Sequence, residues 1–372
     1  MIPLKAFEDE ELVGLLQRKN QPVNIRKFAK RVNRIKNKSS FEVFAQKTYL
    51  GKSQPHKLVI DYLSIKNIPD EDVPQRDIIL RLSKIAHKKN IKDYNKINHE
   101  LKLFDMSRSK KLAQGGFYVL SPNGAKLERA LINFMLDTHN NQGYQEHSIP
   151  IVANRKCFFG TGAFPNWEKT MYKIEKNNLY LNPTAEIQLT NFFNNETLQE
   201  RSLPIKLQAY SHSFRLEQGR KKEPLIVHNE FGKVELIKFC KPQESKKEHL
   251  KILVDAEEVL KQLNLPYRIV QLSVKRLGTA AKRTYDIEAW CPGIKKWLEI
   301  SSVSNCGDFQ ARRMNTKYFN KQTKQEEHVH TLHASGTSLP RILLCLIENC
   351  YSNNKIIVPK KLIKYIGKRV IK

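Results

Sequence analysis

Residues 205–240 read IKLQAYSHSFRLEQGRKKEPLIVHNEFGKVELIKFC, and this stretch decides the fold. It contains two β-type runs, residues 205–217 and 225–240, on either side of a short basic loop that ends in proline. Apolar runs of this kind, bounded by turn residues, predict strands. The sequence therefore predicts a strand, a loop and a second strand at the centre of the fold.

The strand period places charged and aromatic side chains of this stretch on common faces. Alternate side chains of a strand point to the same side, so Arg215 and Glu217 share one face. On the next strand, Phe231, Lys233 and Glu235 share a face by the same rule. From the residues alone, each of these side chains could serve a binding site or have an ordinary structural role. Phe231 also fits a core aromatic residue, and Glu235 also fits a solvated glutamate on a strand.

Further elements continue the pattern on both sides of this stretch. β-type runs occupy residues 267–274, 284–290 and 297–303, and helical patterns occupy residues 124–139, 244–263 and 338–351. Strands joined by turns, with helices set apart, predict an α+β fold in which helices flank a mostly antiparallel sheet. The sequence has neither a G-x-x-x-x-G-K-[ST] loop nor a G-x-G-x-x-G fingerprint, which excludes Walker and Rossmann nucleotide sites.

The first third of the chain has a different character, being rich in Lys, Arg and Asn. Ile25, Phe28, Val32 and Ile35 recur at helical spacing. Basic residues fill the rest of that helix: Arg26, Lys27, Lys30, Arg31 and Arg34. A second apolar set in residues 58–65 predicts a returning helix, and prolines in residues 67–74 end it. We therefore expect a short helical N-terminal hairpin, with a domain boundary between residues 1–97 and 98–372.

Composition narrows the partners and the compartment. The 65 Lys and Arg against 37 Asp and Glu give a formal net charge of +28, which favours a polyanionic partner such as nucleic acid, although a lysine-biased proteome gives the same excess. Six cysteines without a C-x-x-C pair predict scattered, reduced thiols and no zinc site. Acidic residues 8–11 argue against a transit peptide, and no apolar run reaches membrane-spanning length, so a cytoplasmic protein without membrane contact is expected.

Three segments together resemble the signature motifs of class II aminoacyl-tRNA synthetases. These are residues 124–150 (motif 1), residues 213–217 with Phe231 (motif 2) and residues 334–341 (motif 3). Within that class, further segments are similar to seryl-tRNA synthetases: residues 127–135, 159–162, 184–186, 233–235, 285–288 and 299–313. The resemblance covers about residues 98–372. It implies an ATP-dependent serine–tRNA ligase, homodimeric through motif 1, with ATP, L-serine and tRNA(Ser) as partners.

The resemblance also implies roles around ATP. Adenylate formation brings a carboxylate to a phosphate, so a positive group must lie between them, and the family assigns that role to Arg215. Arg341 would pair with the γ-phosphate as the second catalytic arginine, Glu217 would recognise the adenine amino group, and Phe231 would stack on the adenine. The full ATP set is Arg215, Leu216, Glu217, Phe231, Glu299, Ile300, Ser301, Ser302 and Arg341.

Mg²⁺ is expected to bind with ATP at Glu299 and Ser302, because this ion takes a few protein oxygens together with phosphates. Strict strand alternation would place the two side chains on opposite faces, so a β-bulge between them is implied. Three histidines in residues 328–333 suggest a second metal site. No Cys or carboxylate completes that set at ligand spacing, so a structural role is expected for them.

Serine would be bound by a second group of residues that the resemblance supplies. Its members are Thr184, Ala185, Glu186, Glu235 and Ser335. Glu186 would hold the ammonium group and Glu235 would accept a hydrogen bond from the hydroxyl. Thr184 and Glu186 also fit an ordinary helix start. Gly160 and Gly162 resemble a flap over this pocket, with an ordinary turn as the alternative.

The sequence departs from the family in motif 2 and in the N-terminal arm. The loop of residues 218–224 is short, and Val227 stands where the family has an arginine, so one phosphate-facing charge is missing. Arg220, Lys221 and Lys222 are candidates to replace it. The arm is reduced, and the basic residues 26–34 are expected to contact tRNA phosphates. The alternative function is a non-catalytic paralogue that binds RNA or a synthetase partner.

Overall fold

The computed structural model describes all but five short stretches of the chain, covering residues 1–51, 54–85, 91–113, 116–216, 225–226 and 228–372. The helices are α1 (Glu10–Arg18), α2 (Ile25–Val32), α3 (Lys38–Leu50), α4 (Lys57–Ser64), α5 (Tyr94–Leu101), α6 (Met106–Leu112), α7 (Pro122–Asn141), α8 (Arg155–Thr161), α9 (Glu186–Thr190), α10 (Ser245–Leu263), α11 (Phe309–Met314), α12 (Leu339–Cys350) and α13 (Ile363–Ile366). The strands are β1 (Ile78–Leu82), β2 (Gln145–Glu146), β3 (Val152–Asn154), β4 (Lys173–Ile174), β5 (Leu179–Leu181), β6 (Thr197–Gln199), β7 (Ile205–Phe214), β8 (Glu230–Cys240), β9 (Tyr267–Gln271), β10 (Arg283–Cys291), β11 (Lys296–Asn305), β12 (Lys317–Asn320), β13 (Gln325–His328), β14 (His330–Ser338), β15 (Tyr351–Ser352), β16 (Lys355–Ile357) and β17 (Val370–Ile371).

An eight-stranded sheet forms the frame of the molecule, with the strand order β1-β9-β10-β11-β14-β8-β7-β2. Every neighbouring pair is antiparallel except β2 and β7, which run parallel. The predicted α+β fold with a mostly antiparallel sheet is therefore confirmed. Within residues 205–240, β7 and β8 form an antiparallel pair, with Ser213 opposite Phe231.

Three long helices share one apolar core with this sheet. The core takes Leu131 from α7, Ile252 from α10, Leu343 from α12 and Ile287 from β10, each with no exposed surface. Helix α12 is apolar around nearly its whole circumference, and Pro340 lies in its first turn, where the missing N–H has no helical partner to lose. Because α12 is buried, the residues at its start are held rigidly beside the sheet.

The N-terminal region is helical, as predicted, but its described residues 1–51 and 54–85 form four α-helices rather than a two-helix hairpin. The returning helix corresponds to α4, and the expected bend contains α3, which Asn37 caps at its start. The stripe of α2 packs on α4, since the rings of Phe28 and Tyr62 stack with centroids 6.2 Å apart. Phe158 and Phe309 of the α/β part belong to the same apolar cluster, so these helices pack on the body of the protein. The boundary at residues 97/98 stays a prediction.

The basic face of α2 points to solvent. Ile25, Phe28 and Val32 are buried, while Ile35 lies beyond the last turn and is half-buried. The exposed side chains are those of Arg26, Lys27, Lys30, Arg31 and Arg34. Arg31 forms an ion pair with Asp61 of α4 at 3.3 Å. The separation into an apolar and a basic face therefore follows the periodicity of the sequence.

The expectation of six reduced cysteines is wrong for one pair. Cys291 of β10 and Cys345 of α12 form a disulfide, with their Cα atoms 5.0 Å apart. Cys157, Cys240 and Cys306 are free thiols. The paired residues are 54 positions apart, and this spacing resembles no local cysteine motif. Only the packing of α12 against β10 brings them together.

Candidate active site

A cleft opens where β7, β8 and β11 meet the start of α12. Its cavity measures about 200 Å³. The lining residues are Arg215, Ile226, His228, Phe231, Lys233, Glu299, Ile300, Ser335, Ser338 and Arg341. The cleft therefore brings together parts of motifs 2 and 3 that lie more than a hundred residues apart in sequence.

Arg215 follows the last residue of β7 and lies against the aromatic wall of the cleft. Its guanidinium carbon is 5.2 Å from the centroid of the Phe231 ring. Its Nε donates a hydrogen bond to the Pro183 carbonyl at 3.2 Å, and its backbone N–H donates to the Asn229 carbonyl at 2.9 Å. These contacts orient the guanidinium beside the ring. Leu216 is half-buried next to it, and Glu217 lies outside the described residues.

Arg341, in the first turn of α12, lies beside Glu299 of β11. Its Nη1 donates to the backbone carbonyl of Glu299 at 2.9 Å and lies 3.9 Å from the carboxylate. The two side chains are 30% and 45% exposed, so both remain accessible at the cleft. The hydrogen bond to the carbonyl fixes the position of the guanidinium group, and the carboxylate 3.9 Å away compensates its charge only in part. A positive and a negative group therefore lie side by side at the mouth of the cleft.

The bulge implied by the sequence is present in β11. Glu299 pairs with Glu288 and Ser302 pairs with Asp286, and the register shifts between these pairs at Ile300. Since Asp286 and Glu288 are two residues apart, Glu299 and Ser302 face the same side. Their oxygen atoms suit Mg²⁺. Ser301 points elsewhere, because its hydroxyl donates to the Ser335 carbonyl.

Asp286 adds a buried carboxylate behind this pair that the sequence analysis did not single out. Its Oδ2 lies 3.6 Å from Nη2 of Arg276, and its Oδ1 is buried without a hydrogen-bond partner. Burial, and then the Glu299 carboxylate, raise the pKa of Asp286 to about 7. A buried carboxylate oxygen without a partner, next to the side-chain oxygens of Glu299 and Ser302, would suit a nearby cation. The available signal was its place in the Tyr285–Glu288 segment, opposite Ser302.

The deeper end of the cleft contains a buried cluster of paired charges on β8. Nζ of Lys233 lies 2.5 Å from Oε2 of Glu235, and the Thr184 hydroxyl donates to the same oxygen at 2.7 Å. Lys233 also donates to the Thr184 hydroxyl at 3.2 Å. Glu235 has no exposed surface, and its Oε1 has no partner. The interpretation of Glu235 as a solvated glutamate is therefore wrong, and one acceptor remains for a ligand.

The other predicted serine residues surround this cluster. Ser335 lies directly opposite Glu235 in the β14–β8 register, and Ala185 is fully buried. Glu186 begins α9 and accepts a hydrogen bond from Gln310 at 3.2 Å. The Thr184 hydroxyl accepts from the Glu186 N–H at 3.3 Å, so the helix-start interpretation also holds.

His333 belongs to this cluster as well, which the sequence analysis did not foresee. Its Nε2 lies 3.6 Å from Oε1 of Glu186. One ligand atom from each of Glu186, Glu235 and His333 lies within 4.8 Å of the others. No carboxylate completes the histidine set at ligand spacing in the sequence, but the fold brings Glu186 and Glu235 close to His333. The carboxylates come from α9 and β8, so sequence spacing gave no signal.

The neighbouring histidines fit the structural role that was expected. Burial lowers the pKa of His328 and of His330 to about 4. His228 is different, because it lines the cleft and packs edge-on against Phe231 with ring centroids 5.9 Å apart. Burial, and then the Arg341 charge, lower its pKa to about 4. This neutral histidine was missed because its neighbours in sequence form no motif of their own.

The expected flap at Gly160 and Gly162 is wrong. Gly160 lies in the buried helix α8, where a Cβ atom would be 2.3 Å from Oδ1 of Asn191. Gly162 ends that helix with φ +82°, and the ring of Phe309 packs against it. Both glycines are required for close packing rather than for movement. The turn interpretation fits Gly162, which ends the helix, whereas Gly160 lies inside the helix.

The antiparallel sheet and a cleft built from motifs 2 and 3 define a class II aminoacyl-tRNA synthetase. The family model that matches is the tRNA synthetase class II core domain (G, H, P, S and T), over residues 171–350. The serine–tRNA ligase of Prochlorococcus marinus (strain MIT 9515) is 40% identical over 322 residues, which are 84% of this chain and 75% of that protein. The serine–tRNA ligase of Desulforapulum autotrophicum is 42% identical over 318 residues, 82% of this chain and 74% of that protein.

A solved structure agrees with these relatives. The seryl-tRNA synthetase from Pyrococcus horikoshii, complexed with ATP, superimposes with a TM-score of 0.80 at 28% identity, covering 99% of this chain and 88% of that one. The chain belongs to the seryl-tRNA synthetase family, whose members are ATP-dependent aminoacyl-tRNA ligases. Among the helices that the structure describes, none has the length and apolar character to cross a membrane.

Proposed function

We propose that this cleft activates L-serine with ATP and transfers it to the 3′ end of tRNA(Ser). The observation that carries the proposal is the arrangement of two accessible arginines, Arg215 and Arg341, next to a buried polar cluster around Glu235. Arginines suit a polyphosphate, and the buried cluster suits a small polar amino acid. The two halves are adjacent, as a reaction between ATP and serine requires.

The first step joins serine to AMP. An oxygen of the serine carboxylate attacks the α-phosphorus, the bond from that phosphorus to the bridging oxygen breaks, and pyrophosphate leaves. Arg215 lies between the two negative groups and stabilises the charge that develops on the phosphorus oxygens. Arg341 holds the γ-phosphate, and Phe231 stacks on the adenine. In the second step, a 3′-terminal hydroxyl of tRNA attacks the serine carbonyl carbon and AMP leaves.

Mg²⁺ would be held by Glu299 and Ser302 together with phosphate oxygens of ATP. When bound, the ion neutralises phosphate charge and makes pyrophosphate a better leaving group. The bulge at Ile300 puts both side chains on one side of the strand, which would let them hold one ion. Ile300 itself lines the cleft, and Ser301 braces the backbone of Ser335 through its hydroxyl. Leu216, Ile300 and Ser301 are therefore proposed to shape the ATP site.

Serine selection is assigned to the buried cluster. Glu235 accepts a hydrogen bond from the serine hydroxyl through the oxygen that has no partner, and Glu186 holds the ammonium group. Thr184, Ala185 and Ser335 form the walls of this small pocket. A ligand without a hydroxyl would leave the Glu235 oxygen buried and unpaired, which costs free energy.

Nucleic acid and a second subunit complete the proposed assembly. The exposed basic face of α2, residues 26–34, supplies contacts to tRNA phosphates. Helix α7 and the strand that follows it are proposed to form a homodimer interface, in keeping with their resemblance to motif 1. A cytoplasmic location is proposed as well. Arg220, Lys221 and Lys222, proposed to replace the missing loop charge, lie outside the described residues.

Serine-dependent exchange of pyrophosphate into ATP tests the proposal, since it measures activation without tRNA. We expect exchange with serine, a much slower exchange with alanine, and exclusion of threonine by its size. A protein that binds tRNA but shows no exchange would be the non-catalytic paralogue. The presence of Arg215, Glu299 and Arg341 in one cleft, with the buried Glu235 paired to the lining residue Lys233, supports the enzyme instead.

A further inference from the structure

Helix α3 of the N-terminal region docks on the body of the protein through a buried tyrosine. Tyr49, in the last turn of α3, is 2% exposed, and its hydroxyl donates a hydrogen bond to Oε2 of Glu168 at 2.7 Å. The guanidinium carbon of Arg155 lies 4.5 Å from the centroid of the Tyr49 ring, and Arg155 forms an ion pair with Glu168 at 2.8 Å. The tyrosine and the arginine together hold the Glu168 carboxylate in one position.

Glu168 is the first residue of a segment that reaches the end of β7. It begins a single 3-10 turn that ends at Thr170, and the Thr170 carbonyl accepts a hydrogen bond from the backbone N–H of Leu216 at 3.3 Å. The Tyr180 hydroxyl of β5 donates to Oε1 of Glu168 at 3.4 Å. Both ends of the segment between this turn and β5 therefore depend on the same carboxylate.

The residues that follow β5 make two more contacts with the end of β7. The Asn182 carbonyl accepts a hydrogen bond from the backbone N–H of Phe214 at 2.8 Å, and the Pro183 carbonyl accepts from Nε of Arg215 at 3.2 Å. We call residues 168–183 the supporting segment. It supplies one carbonyl acceptor to each of three consecutive residues, 214–216, and one of these three is the arginine of the cleft.

We propose that Tyr49 is a positioning residue for the ATP site, which holds Glu168 and, through the supporting segment, fixes the Arg215 guanidinium beside Phe231. This inference rests on the proposed function. An arginine that is held in place before ATP arrives loses less conformational entropy on binding, so ATP affinity depends on the groups that hold it. The N-terminal region then has two separate tasks, because α2 presents charge to solvent and α3 supports the cleft.

The Tyr49 hydroxyl is a dependable donor. Burial, and then the hydrogen bond to Glu168, raise the pKa of Tyr49, so the hydroxyl stays protonated under the conditions of an enzyme assay. A carboxylate that accepts from such a donor forms a stronger hydrogen bond than a neutral acceptor does. Removal of this one oxygen atom should therefore loosen Glu168.

An alternative is that Tyr49 only anchors the N-terminal region to the body. Other contacts share that task, since Nδ2 of Asn166 donates to the Ser64 carbonyl at 3.1 Å and Nη2 of Arg313 donates to the Leu63 carbonyl at 2.6 Å. Helix α4 is therefore held without Tyr49. A pure anchor would affect stability and tRNA binding, whereas a positioning residue affects the binding of ATP.

The test compares wild type with Tyr49→Phe, by calorimetric binding of ATP and of serine and by pyrophosphate exchange. We expect the Kd and KM for ATP to rise by about threefold to tenfold, the range of one net hydrogen bond, while the values for serine stay within about twofold. Glu168→Ala should raise the ATP values at least as much. Adding Tyr49→Phe to Glu168→Ala should cause no further rise, because the two residues act through one contact.

Tyr318→Phe is the matched control. It removes the hydroxyl of a tyrosine with no exposed surface that also donates to a carboxylate at 2.7 Å, that of Glu327. ATP binding in this variant should equal that of wild type. Glu168→Gln serves as a second variant if thermal melting shows that Tyr49→Phe is unfolded. It keeps the shape of the side chain but weakens the acceptor, so a smaller rise in the Kd for ATP is expected.

Two results would overturn the role of Tyr49. One is an unchanged Kd for ATP in Tyr49→Phe, with or without weaker tRNA binding, and for Glu168→Gln the same result counts. The other is an equal rise of the ATP and serine values, which would show general loosening of the protein. Loss of exchange in wild type with ATP binding intact would instead overturn the proposed function, and the calorimetric comparison of ATP binding would still decide the role of Tyr49.

Discussion

The proposed serine pocket and the basic face of α2 differ in how their charges are placed. In the pocket, Lys233 and Glu235 are buried 2.5 Å apart, and Thr184 satisfies the carboxylate further. On α2, the cationic side chains are exposed. Buried charges must be paired, so their geometry is fixed and can discriminate between ligands. Exposed charges are screened by salt and keep their freedom, so they supply affinity with little discrimination.

The largest expected effect follows from removing the charge that faces the reacting atoms. Arg215→Ala should lower serine-dependent pyrophosphate exchange by about 10²–10³-fold, mainly in kcat, because the arginine acts most strongly in the transition state. Arg201→Ala, at an exposed arginine before β7, is the control. An Arg215→Ala rate within a few-fold of wild type would remove Arg215 from the catalytic machinery.

The next effect concerns discrimination in the buried pocket. Glu235→Gln keeps the shape but weakens the acceptor for the serine hydroxyl, so the preference for serine over alanine should fall by roughly 1.5–3 kcal/mol, about tenfold to a hundredfold. The measurement is the ratio of kcat/KM for the two amino acids in pyrophosphate exchange. Glu326→Gln changes an exposed glutamate of β13 and should leave the ratio unchanged. An unchanged ratio in Glu235→Gln would place Glu235 outside the pocket.

Local periodicity was enough to predict most of the fold. The alternation in β7 and β8 and the apolar stripes of α7, α10 and α12 are properties of single segments, and each was predicted within a few residues. Helix α3 was missed, although Phe41, Ala45 and Tyr49 recur at helical spacing and Asn37 caps the helix. The packing of the N-terminal helices on Phe158 and Phe309 depends on distant residues, so no local pattern could predict it.

In the candidate site, too, features within one strand could be predicted from the sequence, whereas contacts between distant segments could not. Alternation predicted that Glu299 and Ser302 need a bulge, because both residues lie on one strand, and the bulge is at Ile300. His333 was assigned to structure because its partners, Glu186 and Glu235, lie far away in sequence. The disulfide between Cys291 and Cys345 was missed for the same reason. Contacts between elements that are distant in sequence cannot be predicted from a single sequence.

A smaller effect is expected on the free energy of unfolding, through the buried side chain of His249, which is uncharged in the folded protein. Burial lowers the pKa of His249 to about 4, and its Nε2–H donates to the Val303 carbonyl at 3.1 Å. The unfolded chain takes up this proton near pH 6.5, so between about pH 6.5 and 4 it binds more protons than the folded state. The free energy of unfolding should therefore fall as the pH is lowered through that window. His249 alone accounts for about 2 kcal/mol of the loss between pH 7.5 and 5.

Urea unfolding at both pH values measures this term. His249→Gln retains a donor for the Val303 carbonyl and carries no titrating ring, so its acid-induced loss should be smaller than that of wild type. His99→Gln, at an exposed position, should match wild type. If His249→Gln and wild type lose the same free energy of unfolding, burial does not keep His249 neutral.

The smallest expected effect tests the exposed side of the comparison. Reversing Arg26, Lys30 and Arg34 to Glu should weaken tRNA binding by about tenfold at moderate salt and flatten its salt dependence, because fewer counterions are released from the RNA. Pyrophosphate exchange should be unchanged, since these side chains are exposed and lie outside the cleft. The matched control reverses three exposed lysines elsewhere, Lys246, Lys296 and Lys321, and gives the same change in net charge. Equal weakening in both triple variants would mean that overall charge attracts the tRNA, whereas unaltered binding of the α2 variant at every salt concentration would make its basic face an ordinary solvated surface.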